Sequence, residues 1–143
     1  MWFIRGILSL LSRLMLCAIF VMSAVANKIP HFGETVALME QQGVPYPKYL
    51  LIGAITFLIL GSLLVILGYK ARLGALLLLV FLGMATYYFH DFWTIKDDPA
   101  AQTTEMINFM KNLGLGGAML YIMANGSGHW SLDSTGEDDD EFV

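Results

Sequence analysis

Apolar positions along the chain gather into four long stretches, roughly 7–26, 49–69, 73–92 and 106–124, with polar segments between them. Each is close to the ~20 residues that an α-helix needs to cross the hydrocarbon core of a bilayer. A soluble domain of 143 residues has too little interior to bury four such helices on every side. The pattern therefore predicts an all-α integral membrane protein, a four-helix bundle occupying residues 1–133. Hydrophobic residues make up 57% of the chain and charged residues 14%, a balance suited to lipid as the solvent.

The polar connections alternate in size. Only Lys70-Ala71-Arg72 separates the second and third stretches, whereas the first-to-second and third-to-fourth connections each run to about twenty residues. Four spans then place both termini and the basic turn on one side, and both long loops on the other. In the first long loop Phe32, Val36 and Met39 recur at helical spacing before Gly43, Pro45 and Pro47 stop the pattern. That predicts a short amphipathic helix lying at the membrane interface. Lys96-Asp97-Asp98-Pro99 reads as an exposed turn leading to the fourth helix. Arg5, Lys70 and Arg72 favour cytoplasmic N- and C-termini, against Lys28, Lys48, Lys96 and Lys111 on the opposite side. The predicted location is the plasma membrane, with multiple passes. A secretory signal starting at Arg5 and cleaved after Ala24-Val25-Ala26 is the alternative for the first stretch, but Arg13 interrupts its apolar region.

Charge and cysteine content narrow the chemistry. The net charge of −4 arises largely from the acidic run at 137–141, and residues 134–143 read as a solvated, disordered tail. Nothing in this balance points to nucleic acid. Cys17 is the single cysteine, so the chain forms no internal disulfide and has no Cys-x-x-Cys pair. His31, His90 and His129 stand apart from one another and from other ligands at zinc-type spacing, so no metal site is predicted.

The candidate polar groups fall at both ends of the predicted bundle. Lys28 closes the first helix, His90 and Asp91 close the third, and Lys111 and Asn112 lie in the first turns of the fourth; His31 and Glu34 follow the first helix closely. All belong to the long-loop side. Tyr87 precedes His90 by three residues and Asp91 by four, so the three can share a face. An imidazole beside a carboxylate and near lysines can move a proton or hold an anion. Equally, Tyr87, Tyr88 and Trp93 can form an aromatic belt at the headgroups while His90 and Asp91 face water. Both readings stand at this point.

On the first helix, Ser9, Arg13, Cys17, Ala24 and Lys28 draw a small and polar stripe that should face protein. An arginine at bilayer depth costs roughly 2.5 to 3.5 kcal/mol unless it is compensated. Two compensations are expected for Arg13: Asp133 in the Gly-Ser-Gly-His-Trp-Ser-Leu-Asp stretch, or carbonyls freed at the glycine-rich end of the fourth helix. Either ties the C-terminal segment to the first helix. Gly114 and Ala118 suit close helix contact, within the bundle or in a homo-oligomer.

Taken in order, Arg13, Lys28, Gly43-Val44-Pro45, Gly68, His90, Lys111-Asn112-Leu113, Gly126-Ser127-Gly128 and Ser131-Leu132-Asp133 resemble the DoxX family, over about residues 9 to 133. The resemblance implies a four-helix protein of the bacterial inner membrane. The family takes its name from a small subunit associated with thiosulfate:quinone oxidoreductase, and some members are linked to oxidative-stress complexes. Two departures matter: Leu58 stands where many relatives carry a glutamate, and Ser127 interrupts what is commonly Gly-Pro-Gly. The missing carboxylate puts a proton pathway through the bundle in doubt.

The function expected on this basis is that of an accessory subunit or scaffold in a redox-linked membrane complex, with lipids and a redox protein as partners. The alternative is a binder of a quinone or similar amphiphile through Lys28, Tyr87, His90, Asp91, Lys111 and Asn112. In that reading Lys111 neutralises a quinone oxygen, His90 passes a proton, Asp91 tunes His90 and Asn112 donates to the head. Arg13, Ser131 and Asp133 are expected to be structural. No dinucleotide fingerprint or cysteine pair is present, so a partner must bring the electrons and no complete catalytic apparatus is visible.

Overall fold

The computed structural model describes residues 1–133; the acidic segment expected to be a disordered tail lies outside the described residues. Within them the chain is all-helical. α1 (Trp2–Met22) runs into a π-helical turn (Ser23–Lys28), followed by α2 (Phe32–Gln41), α3 (Pro47–Leu67), α4 (Ala71–Phe89), a 3-10 turn (Phe92–Thr94) and α5 (Pro99–Asn125). Three stretches, Trp2–Lys28, Pro47–Leu67 and Ala71–Thr94, are long and apolar enough to cross a membrane. Their outward side chains, such as Leu8, Met15, Leu63 and Leu67, are apolar as well, as a lipid solvent requires.

Element ends follow from local chemistry. Pro47 opens α3 in its first turn, where the missing N–H costs nothing, and Gly68 ends it at φ 63° in the left-handed region. α5 begins earlier than the apolar pattern predicts. Asp98 accepts from the backbone N–H groups of Ala100 and Ala101 at 3.1 Å each, and Pro99 follows as the first helical residue. Gln102, Thr103, Thr104 and Glu105 are therefore helical although polar, and α5, interrupted further on by Asn108, Lys111 and Asn112, is not among the three apolar stretches. Lys111 and Asn112 consequently lie about three turns inside α5, not in its first turns.

α1 packs on α3, α3 on α4 and α4 on α5, while α2 covers α3 and the π-helical turn. The main core joins Cys17 and Phe20 of α1, Leu58 and Val65 of α3, Leu78 of α4 and Met119 of α5. Met39, Val44 and Leu51 form a second cluster beneath α2. α3 and α4 approach most closely at Gly61 and Gly74. A Cβ on Gly61 would lie 2.9 Å from the Gly74 carbonyl oxygen, and one on Gly74 would lie 2.8 Å from that of Gly61. Within the bundle, the close contact that Gly114 would suit is not made: a Cβ there meets nothing within 4 Å, nor does one at Gly117. α1 and α5 share no contact comparable to the other pairs. A cavity at one end of the molecule borders both, together with α2, α3 and α4.

Candidate functional site

The loop end of the molecule holds a cavity of about 630 Å³. Its walls are apolar, with Phe20, Phe57, Phe81, Leu82 and Leu115 prominent among them. Polar groups enter from four elements: Ser23, Asn27 and Lys28 from the π-helical turn, Thr35 from α2, His90 from the end of α4, and Lys111 and Asn112 from α5. Four of the six residues expected at a ligand site thus meet in one cavity. Tyr87 and Asp91 do not line it.

The π-helical turn sets the direction of Lys28. In an α-helix, residues five apart point roughly 140° away from each other, at 100° per residue. Here Ile29 N–H bonds to the Ala24 carbonyl at 2.9 Å, the i→i+5 pattern, and Lys28 Nζ donates to Ser23 Oγ at 2.6 Å. The same ammonium lies 5.3 Å from the centre of the Phe81 ring on α4. Lys28 is half-buried and Lys111 exposed, its Nζ reaching Asn108 Oδ1 at 3.4 Å. Asn112 Nδ2 donates to Thr86 Oγ1 at 3.0 Å, fastening α5 to α4.

His90 has a different partner from the one expected. The chain leaves the helix after Phe89, so Asp91 turns toward the 3-10 turn and accepts from Thr94 Oγ1 at 3.0 Å. The carboxylate at His90 is Glu105, whose Oε2 lies 2.6 Å from Nδ1. An ionised carboxylate only accepts, so Nδ1 carries the proton and the ring is held in one orientation. Tyr87 is exposed and meets Tyr88 edge-on at 5.0 Å; Tyr88 lines the cavity instead. Phe92, Trp93 and Phe109 form a separate aromatic group beside the 3-10 turn. His31 and Glu34 pair with each other at 3.4 Å on the surface, away from the cavity. The apolar-run reading missed Glu105; Asp98-Pro99, a helix-start signal, would have placed it in the second turn of α5.

The terminal end is assembled differently. Arg13 is 3% exposed, and its guanidinium donates to the carbonyls of Ile66 (3.0 Å), His129 (3.3 Å) and Trp130 (2.6 Å), while Nε donates to Ser9 O (3.2 Å). It makes no pair with Asp133. That carboxylate instead accepts from the backbone N–H groups of Lys70 (2.8 Å) and Ala71 (3.0 Å), capping α4. The segment 126–133 lies along the face of α1 carrying Gly6, Ser9 and Arg13, with Ser9 Oγ donating to Ser127 O at 2.9 Å and Ser131 Oγ to Gly128 O at 2.7 Å. The Trp130 ring occupies the space that a side chain at Gly6 would need, and packs on Phe3 at 5.1 Å. Among the described residues, no group of three or more His, Cys, Asp or Glu side chains is placed to hold a metal ion.

Comparison with known proteins matches residues 8–91 to the sequence model of the DoxX family and residues 50–137 to that of the SURF4 family. Inner membrane protein YphA of Escherichia coli (strain K12) is 33% identical over 130 residues, 90% of each chain. Inner membrane protein YqjF of the same organism is 28% identical over 124 residues, 87% of this chain and 88% of that one. A Surfeit locus protein 4 homolog of Drosophila melanogaster is 35% identical over 78 residues, 52% of this chain but only 29% of that protein. No solved structure matches.

Proposed function

The chain belongs to the DoxX family, and on that premise we propose that it is an accessory subunit of a redox-linked complex of the inner membrane that holds a quinone or similar amphiphile at its loop end. The observation that carries this reading is the convergence of Lys28, His90, Lys111 and Asn112 on one mostly apolar cavity of about 630 Å³. That size and that lining, mostly apolar with a few converging polar groups, suit a small amphiphile.

In this reading α1, α3, α4 and α5 form a four-helix bundle in the membrane, the last spanning at about residues 106–124. α2 lies at the interface over the cavity, and both termini face the cytoplasm, following Arg5, Lys70 and Arg72. Lys28 and Lys111 neutralise charge on a head-group oxygen, His90 exchanges a proton while Glu105 holds its ring, and Asn112 donates a hydrogen bond. Electrons come from a partner protein, since quinone reduction needs a donor that these side chains do not supply. A scaffold role draws support from the open α5 face at Gly114 and Gly117, where a partner helix or a second copy could approach closely.

The test is quinone retention by protein purified into lipid nanodiscs, together with turnover of the partner complex, in His90→Ala and Lys111→Ala. Both quantities should fall. If both variants keep ligand and partner-dependent activity, the cluster is only an interface.

A further inference from the structure

The reading above leaves the head group of the amphiphile open, and the charges around the cavity narrow it. Two lysines and a histidine line it, and no carboxylate does among the described residues. His90 Nδ1 is occupied by the Glu105 carboxylate at 2.6 Å. The neighbours of Lys28 are a hydroxyl and an aromatic ring, and that of Lys111 is an amide oxygen. Neither ammonium is within ion-pair distance of a carboxylate among the described residues. Positive charge beside apolar walls at membrane depth is costly unless something compensates it. Of the other carboxylates at this end, Asp91, Glu34 and Asp98 are turned to Thr94, to His31 and to the backbone N–H groups of Ala100 and Ala101.

The shape adds a second constraint. At about 30 Å³ per water-sized group, 630 Å³ holds roughly twenty non-hydrogen atoms. That is one head and one chain, about half of a two-chain phospholipid. α1 and α5 approach each other less closely than α1 and α3 or α4 and α5 do, and both border the cavity, which gives a longer tail a way between them into the surrounding lipid.

We propose that the loop-end cavity binds the oxyanion head of a single-tailed amphiphile, with the head at Lys28 and Lys111 and the tail running between α1 and α5. This rests on the reading of the cavity as an amphiphile site. A fatty carboxylate and the ionised oxygen of an alkyl hydroxyquinone share the required chemistry: one tail and one anionic oxygen able to accept from both ammonium groups.

The test uses the full chain in nanodiscs of phosphatidylcholine. The first probe is cis-parinaric acid, followed by its own fluorescence, against its methyl ester. The second is a 2-hydroxy-3-alkyl-1,4-naphthoquinone, ionised at neutral pH, against its methyl ether. Each anion should bind about tenfold or more tightly than its neutral derivative. Lys28→Ala and Lys111→Ala should each remove most of that preference, and Lys28→Arg and Lys111→Arg should keep it. Thermal unfolding of each variant is measured alongside, so that a binding loss is counted only in folded protein.

Binding of both anions supports the proposal for either source; binding of one identifies the source. If the neutral derivatives bind as tightly as the anions, or the lysine variants keep the preference, the inference is overturned. Neutral quinone binding with no anion preference would leave the redox-linked reading standing without it. Parinarate binding with no affinity for either naphthoquinone would do the reverse.

Discussion

The two ends of this molecule use positive charge in opposite ways. At the terminal end Arg13 is buried and held by four hydrogen bonds, each of its three nitrogens donating to backbone carbonyls from α1, α3 or the segment after α5. At the loop end Lys28 and Lys111 border a cavity with neutral neighbours, and their ammonium groups keep donors to spare. The planar, five-donor guanidinium suits fixed carbonyls, and the flexible ammonium suits a head group that comes and goes. On the proposed reading, the difference separates a fastening from a receptor. Substitutions should divide along the same line, costing stability at one end and binding at the other.

The largest effect is expected at the fastening itself. Arg13→Leu leaves the Ile66, His129 and Trp130 carbonyls without their donor and should destabilise the fold by about 3 kcal/mol or more, read by thermal unfolding in detergent. Gly68→Ala comes next. Its φ of 63° disfavours a side chain, and a Cβ there would run into Ser131 and the Arg13 guanidinium. A loss of about 1–3 kcal/mol should result. Asp133→Ala removes the side-chain cap of α4 and should cost about 1–2 kcal/mol, with Asp133→Asn recovering part of it.

At the loop end the comparison is sharpened by two carboxylates. Glu105→Gln should lower ligand retention, because it removes the carboxylate that holds the His90 ring in place. Asp91→Asn, the neighbour in sequence, should leave retention unchanged and move stability by no more than about 0.5 kcal/mol. An equal effect of the two would mean that His90 is not organised by Glu105.

How much of this was legible in the sequence depended on the range of the interaction. The helical class and three of the spans follow from apolar run length, and α2 from the spacing of Phe32, Val36 and Met39. Carbonyls near the glycine-rich end were among the two expected partners of Arg13, because a buried guanidinium demands acceptors wherever they lie. The Asp133 pair was not made, since that carboxylate also suits a helix start, and the N-terminus of α4 is nearer to it. Asp91 was expected to tune His90 on the assumption that the helix continued past residue 90. Its ending at Phe89 separated them and gave the place to Glu105, fifteen residues further on. The π-helical turn left no sequence mark that periodicity detects, yet it brings Lys28 back over Ser23 and toward Phe81. Gly61 and Gly74 lie in runs of leucine where a glycine reads as neutral, and only the crossing of α3 and α4 reveals their use.

The most direct measurement is native mass spectrometry of the protein released from lipid nanodiscs, with the retained small molecules identified in the wild type and in Lys28→Ala/Lys111→Ala. A single-tailed amphiphile near one per chain, lost in the double variant while the unfolding temperature is kept, is the predicted result. Ordinary phospholipid alone, at the same level in both, would contradict the assignment of the loop end as a receptor and leave the molecule a scaffold fastened at Arg13.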